Sequence, residues 1–163
     1  MTRILEIRNT VVPIASDIRN AFIDFSKMTA SVVAVITDAI VDGKPVVGYG
    51  FNSNGRYNAK GILEDRIIPR VLDADAPSLN DPNTGLLCPH RVWDVAMQNE
   101  KPGGHGERST AMGVLDMALW DALSKINEVP LYRLLADRYN EGQVDEKIFV
   151  YGAGGYYYPG KNV

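Results

Sequence analysis

"MTASVVAVITDAIVDGKPVVGYGF", Met28 to Phe51, holds two runs rich in β-branched residues on either side of Asp42-Gly43. An Asp-Gly pair between such runs is the chemistry of a tight hairpin turn, because both central residues must accept a positive φ. Upstream, "RILEIRNTVVPI", Arg3 to Ile14, has the same character. The three runs together predict a three-stranded antiparallel meander.

After Phe51 the pattern changes. A polar stretch, "NSNGRYNAKG", leads into helical spacing: Leu63, Ile67 and Val71 recur every four residues, with Pro69 expected to kink or end the helix. A second helix is expected with Pro89 in its first turn and Val92, Val95 and Ala96 on one face. The strongest periodicity lies in "ERSTAMGVLDMALWDALSKINEVPLYRLLA", where Met112, Leu115, Leu119, Ala122 and Ile126 mark one stripe of a long buried helix. Ser109 or Thr110 would cap its start, Gly113 would admit another backbone, and Pro130 would end it and open a shorter piece. "EKIFVYGAGGYYY" then predicts a strand from Ile148 to at least Gly152, finishing in small residues. A strand arriving after helices, with glycines at its carboxyl end, is the pattern of a parallel α/β unit with its ligand outside the strand ends.

Composition narrows the class. The chain has 163 residues, 45% of them hydrophobic and 23% charged, enough for a folded core. A net charge of -3 offers no basic footprint for nucleic acid, and the apolar runs are too short to cross a bilayer. "MTRILEIRNTVV" carries charges where a signal peptide needs an apolar segment. Cys88 is the single cysteine, so no internal disulfide can form, which fits a reducing cytoplasm.

One near-match needs separate treatment. "GYYYPGKN", Gly155 to Asn162, copies the G-x-x-x-x-G-K of a phosphate-binding loop and fails at Asn162, where a hydroxyl belongs. Pro159 has no N–H to aim at a phosphate, and three tyrosines crowd a turn that needs small residues. A dinucleotide fingerprint starting at Gly152 would need glycine at Tyr157. A nucleotide ligand is therefore not expected.

"GFNSNGRY", "NEKPGGHGERSTAMGVLDMALWDA" and "VYGAGGYYYPGK" resemble the enolase superfamily, mandelate racemase and muconate lactonizing subgroup, and most closely its D-tartrate dehydratases. The resemblance implies an α+β capping domain (three-stranded antiparallel meander plus helices) over residues 1–106. Residues 107–163 would then be the lead-in helices and first strand of a modified (β/α) TIM barrel that is otherwise absent from this chain. It implies a lyase, a hydro-lyase that removes water from tartrate to give oxaloacetate through an enediolate. Mg²⁺ is the implied cofactor, a small dicarboxylate hydroxy acid the substrate, and a cytoplasmic homo-oligomer the assembly. In the family the base, acid and metal ligands lie on later barrel strands, so no catalytic or metal-binding residue is expected here and the chain alone is expected to be inactive. Two other readings stay open. One is an enolase-superfamily racemase or sugar-acid dehydratase of different specificity; the other is a non-catalytic capping module for a separate barrel chain.

Five substrate-binding candidates come with the resemblance: Asn20, Asn54, Lys101, Tyr156 and Tyr158. "IRNAFIDF" and "FNSNGRY" resemble the two loops that close over the barrel mouth, giving Asn20 and Asn54, with Arg19, Asn52 and Arg56 behind them. An asparagine amide both donates and accepts, which suits a hydroxyl-rich ligand, while Asn54-Gly55 is also ordinary turn chemistry. Lys101, held before Pro102-Gly103-Gly104, would balance the distal carboxylate of a diacid. Alternation along the strand favours Tyr156 and Tyr158 over Tyr157 as the mouth-facing pair. His105 reads as part of the glycine-rich turn. Glu107 and Arg108 read as helix-start residues, the carboxylate suiting the positive dipole end.

Overall fold

The computed structural model describes residues 1–52, 58–102 and 106–152. Strands β1 (Ile4–Pro13), β2 (Thr29–Val41) and β3 (Lys44–Asn52) form an antiparallel sheet in the order β1-β2-β3, the meander expected from the residue pattern. Asp42 and Gly43 take φ of 50° and 72°, so the turn carries the right-handed strand twist through both central residues. The register pairs Ile7 and Gly48 with Val35, and Gly50 with Val33. Ile7, Val33, Val35 and Val46 are buried on one face. The other face carries Tyr49 and Phe51, both largely exposed.

The helices follow in order: α1 (Asn58–Ile62), a wide π turn (Leu63–Ile67), α2 (Ile68–Asp73), α3 (Ala76–Leu79), α4 (Pro89–Ala96), α5 (Glu107–Ile126) and α6 (Leu131–Tyr139). Leu63, Ile67 and Val71 are buried as their spacing requires. Pro69 does not end the helical run but sits in the first turn of α2. The π turn just before it loosens the hydrogen-bond ladder where proline removes a donor. α4 begins with Pro89 and buries Val92, Val95 and Ala96.

α5 lies across β3 and β2, with α1 and α4 also against it, and shares one core with the sheet. Two details of this helix depart from the sequence reading. It starts at Glu107 behind Gly106, whose φ is 93°, with no side-chain cap. Thr110 Oγ1 instead donates back to the Gly106 carbonyl at 3.2 Å. Gly113 is exposed, and a Cβ added there would meet nothing within 4 Å. The close approach comes from the strand side: a Cβ on Gly48 would lie 2.0 Å from the Ala118 carbonyl oxygen, and one on Gly50 would lie 2.1 Å from that of Val114. Helix and sheet touch backbone to backbone because two alternate strand positions carry no side chain.

α6 is tied back by aromatic contacts. His90 Nε2 and the Tyr139 hydroxyl share a hydrogen bond of 2.8 Å, Trp120 meets both rings edge-on, and Arg138 lies over Trp120. Residues 148–152 form no strand, and Phe149 is 90% exposed. A strand is held by ladder bonds to a neighbour, and none of the described strands runs beside this segment.

Candidate functional site

Of the five candidates, Asn20 and Lys101 are among the described residues. Asn54, Tyr156 and Tyr158 lie outside them, as do Arg56, His105, Tyr157 and the whole of "GYYYPGKN", residues 155–162.

Asn20 sits in a tight turn closed by the Arg19–Asp24 bridge. Its Oδ1 accepts from the Phe22 and Ile23 N–H groups at 2.9 and 2.8 Å, and its own N–H donates to the Ile23 carbonyl. The acceptor half of the amide is therefore occupied in shaping the turn. The NH₂ is the half that remains for a ligand. Phe22, at the tip, is 97% exposed. Asn52 ends β3 on the inner face, where its Oδ1 accepts from the Ser31 N–H at 3.3 Å. The Asn52 Nδ2 and the Ser31 hydroxyl are buried with no hydrogen-bond partner among the described residues. The sheet end that leads into residues 53–57 is thus polar inside.

Lys101 is exposed, and no ion pair holds its ammonium among the described residues. Its backbone is fixed: the Lys101 carbonyl accepts from Arg108 Nη1 at 3.1 Å. The preceding residue does more. Asn99 turns the chain with a φ of 62°, a conformation asparagine tolerates better than most residues. Glu100 then meets three guanidinium groups, pairing with Arg66, with Arg70 at 2.8 Å and with Arg108 at 3.0 Å. Arg70 also donates to the Ala96 carbonyl at 3.0 Å. One carboxylate, 5% exposed, joins the π turn, α2, the end of α4 and the start of α5, and pins the loop that presents Lys101. A cavity of about 320 Å³ lies here, lined by Trp93, Met97, Glu100, Lys101, Arg108 and Met112 among others. A larger open recess of about 980 Å³ runs along α6 and includes none of the candidates in its lining.

The Glu100 clamp escapes a reading by sequence. Arg66 and Arg70 stand four apart and so share a helix face, a visible sign of a paired-cation surface, but nothing local names a partner more than 25 residues away. Arg70 first, then Arg66, hold the Glu100 carboxyl down from the ordinary 4.5 to about 2. A lowered carboxyl pKa stabilises the fold above the unfolded value, and the contribution is lost as pH falls from about 4.5 towards about 2. Glu100→Gln should therefore lower the melting temperature most at neutral pH, with the gap to the parent closing over that acid window. Thermal melts of both proteins between pH 7 and pH 2 check this, and a gap of constant size would refute the clamp.

Asp116 and Asp121 both lie on α5 and are not equivalent. Asp116 is half-buried, and burial pushes its carboxyl up. Asp121 accepts from the Tyr49 N–H at 2.7 Å. Among the described residues no group of three His, Cys, Asp or Glu could hold a metal ion, so the described residues do not fit a magnesium site.

A three-stranded meander with a long helix packed on its inner face is the architecture of enolase-superfamily capping domains. The family model for the mandelate racemase / muconate lactonizing enzyme N-terminal domain matches residues 4–136, and the chain belongs to that family. A D-mannonate dehydratase of Caulobacter sp. (strain K31) is 32% identical over 119 residues, which are 72% of this chain and 26% of the relative. A D-galactonate dehydratase family member of Halomonas elongata is 30% identical over 123 residues, with the same two coverages. The chain thus spans about a quarter of the length of these curated relatives. Among solved structures, a mandelate racemase/muconate lactonizing enzyme superposes with a TM-score of 0.58 at 20% identity, over 82% of this chain and 34% of that one. An enolase from Bradyrhizobium, solved with magnesium and mandelic acid, gives 0.52 at 23% identity, over 83% and 35%.

Proposed function

We propose that this chain is the capping part of an acid-sugar dehydratase, and that the whole protein removes water from a small hydroxy diacid, D-tartrate first among them. The observation that carries the reading is Lys101, an ammonium with no carboxylate partner among the described residues, on a loop pinned by Glu100. Such a group offers a charge-assisted hydrogen bond to the distal carboxylate of a bound diacid. Asn20 would add its NH₂ donor and Phe22 an apolar cover as that loop closes; Asn54, Tyr156 and Tyr158 complete the proposed set. The class of chemistry is supported by relatives named as mannonate and galactonate dehydratases. Magnesium, when bound in the whole protein, would supply charge neutralisation for an enediolate, and we place its ligands, like the base and acid, outside residues 1–163.

We also propose a cytoplasmic homo-oligomer, on the strength of the family likeness. No described helix is long and apolar enough to cross a membrane. A second reading, dehydration of a monocarboxylate sugar acid, is favoured by the names of the relatives.

A substrate panel decides between these readings. The full-length protein, supplied with magnesium, is offered D-tartrate, L-tartrate, D-mannonate and D-galactonate, and keto-acid formation is followed. D-Tartrate should give oxaloacetate at the highest kcat/KM, and the 163-residue chain should give none. Faster turnover of mannonate or galactonate would transfer the assignment to the monocarboxylate reading, and no turnover of any would favour a capping module without chemistry of its own.

A further inference from the structure

β3 is an edge strand, paired with β2 on one side only, and an open edge invites pairing with another chain. Three of its outward backbone groups are nevertheless occupied, each by a side chain of α5. The Tyr49 N–H donates to Asp121 Oδ2 at 2.7 Å, the Phe51 N–H meets the Met117 sulfur at 3.5 Å, and the Val47 carbonyl accepts from Lys125 Nζ at 2.9 Å. Lys125 also pairs with Asp121 at 2.6 Å and stands over the Tyr49 ring at 4.9 Å.

The spacing explains how a helix can do this. Met117, Asp121 and Lys125 recur every four residues, and the groups they meet, at 51, 49 and 47, recur every two in the opposite direction. Four helical residues rise about 6 Å and two strand residues about 6.7 Å, so the two ladders stay in step across three rungs. They can meet because α5 rides against the backbone at Gly48 and Gly50. A side chain at either glycine would hold the helix too far off for its stripe to reach the edge.

We propose that the Met117–Asp121–Lys125 stripe acts as a surrogate neighbouring strand that keeps the β3 edge closed, and that removing its polar groups turns β3 into a strand-addition surface for a second copy of this chain. Tyr49 and Phe51, exposed on the outer face, would then extend an apolar strip across the new pair. The inference is independent of the substrate assignment, since no candidate substrate residue takes part.

The test compares the parent chain with Asp121→Ala/Lys125→Ala and with Asp121→Asn, which keeps an acceptor for the Tyr49 N–H. Folding is verified by circular dichroism, mass by sedimentation, and individual amides by hydrogen exchange. In the parent, the Tyr49 amide should exchange more slowly than a free edge amide, by on the order of tenfold or more. The double variant should self-associate beyond the parent at equal concentration, with Tyr49 and Phe51 amides protected when concentrated and fast when diluted. Asp121→Asn should behave like the parent. A folded double variant that sediments like the parent, with both amides fast at every concentration, overturns the proposal. So does association of Asp121→Asn to the same extent, which would make charge the cause. If the double variant fails to fold, the parent decides alone: a Tyr49 amide exchanging at the rate of a free edge amide refutes the lock.

Discussion

Gly48→Ala is expected to lower stability by roughly 3 kcal/mol or more, at the upper end of what overpacking a core costs. The new Cβ would stand 2.0 Å from the Ala118 carbonyl oxygen, 2.5 Å from the Ala122 nitrogen and 2.6 Å from the Ala122 Cβ. Two of those atoms are helix backbone, so no rotamer change relieves the contact, and α5 must move off the sheet as a body. Displacing α5 separates Val114, Ala118 and Ala122 from β3 and disturbs the core that helix and sheet share. At about 2–4 °C per kcal/mol for a chain of this size, the melting temperature should fall by roughly 6–12 °C. Gly113→Ala is the control with the opposite sign. Its site is exposed on the same helix with nothing within 4 Å, and alanine there should stabilise by about 0.5–1 kcal/mol by restricting the unfolded chain. Thermal or urea denaturation of the two variants reads both effects. A Gly48→Ala protein melting within about 2 °C of the parent would mean that the helix does not sit where the packing places it.

In the full-length protein, Lys101→Met should lower kcat/KM for tartrate by roughly 10- to 150-fold, the kinetic equivalent of a charged hydrogen bond worth about 1.5–3 kcal/mol. Methionine keeps the length and much of the volume of the lysine stem and removes the ammonium, so the loop pinned by Glu100 should stay in place. A monocarboxylate analogue should lose far less, because it has no distal charge to balance. The comparison of the two substrates isolates charge recognition from general damage. If kcat/KM for tartrate falls less than about threefold in a folded variant, a loss under ~1 kcal/mol, Lys101 is a solvated surface lysine. The diacid assignment would then lose its main support.

The legibility of the fold varies with the range of the interaction. The meander could be read because β-branched runs and Asp42-Gly43 act locally, through strand propensity and the φ each residue permits. α4 was readable for the same reason, from Pro89 and the spacing of Val92, Val95 and Ala96. That the helical run passes Pro69 could not be read, because the π turn that accommodates the proline has no strong local signal. The expected strand at residues 148–152 has the right residues, yet strand residues form a strand only against a partner.

The candidate site divides along the same line. The motif around residues 99–122 singled out Lys101 without structure, and the Asn20 and Asn54 loops came from the same likeness. Which half of the Asn20 amide is occupied could not be read, since the answer lies in two backbone N–H groups of a turn not yet formed. Glu100 stood beside Lys101 unremarked, because its three arginine partners lie 34, 30 and 8 residues away.

By itself, then, the sequence determined the three strands, the hairpin turn, the helix stripes and the family, since each follows from contacts within a few residues or from a motif of fixed order. Only the tertiary structure decided that glycines 48 and 50, not Gly113, make the close helix–sheet approach. It also decided that Glu100 gathers three arginines and that Asp121 and Lys125 meet the backbone of β3. These are meetings of residues distant in the chain, and a side chain carries no local record of what will be packed against it.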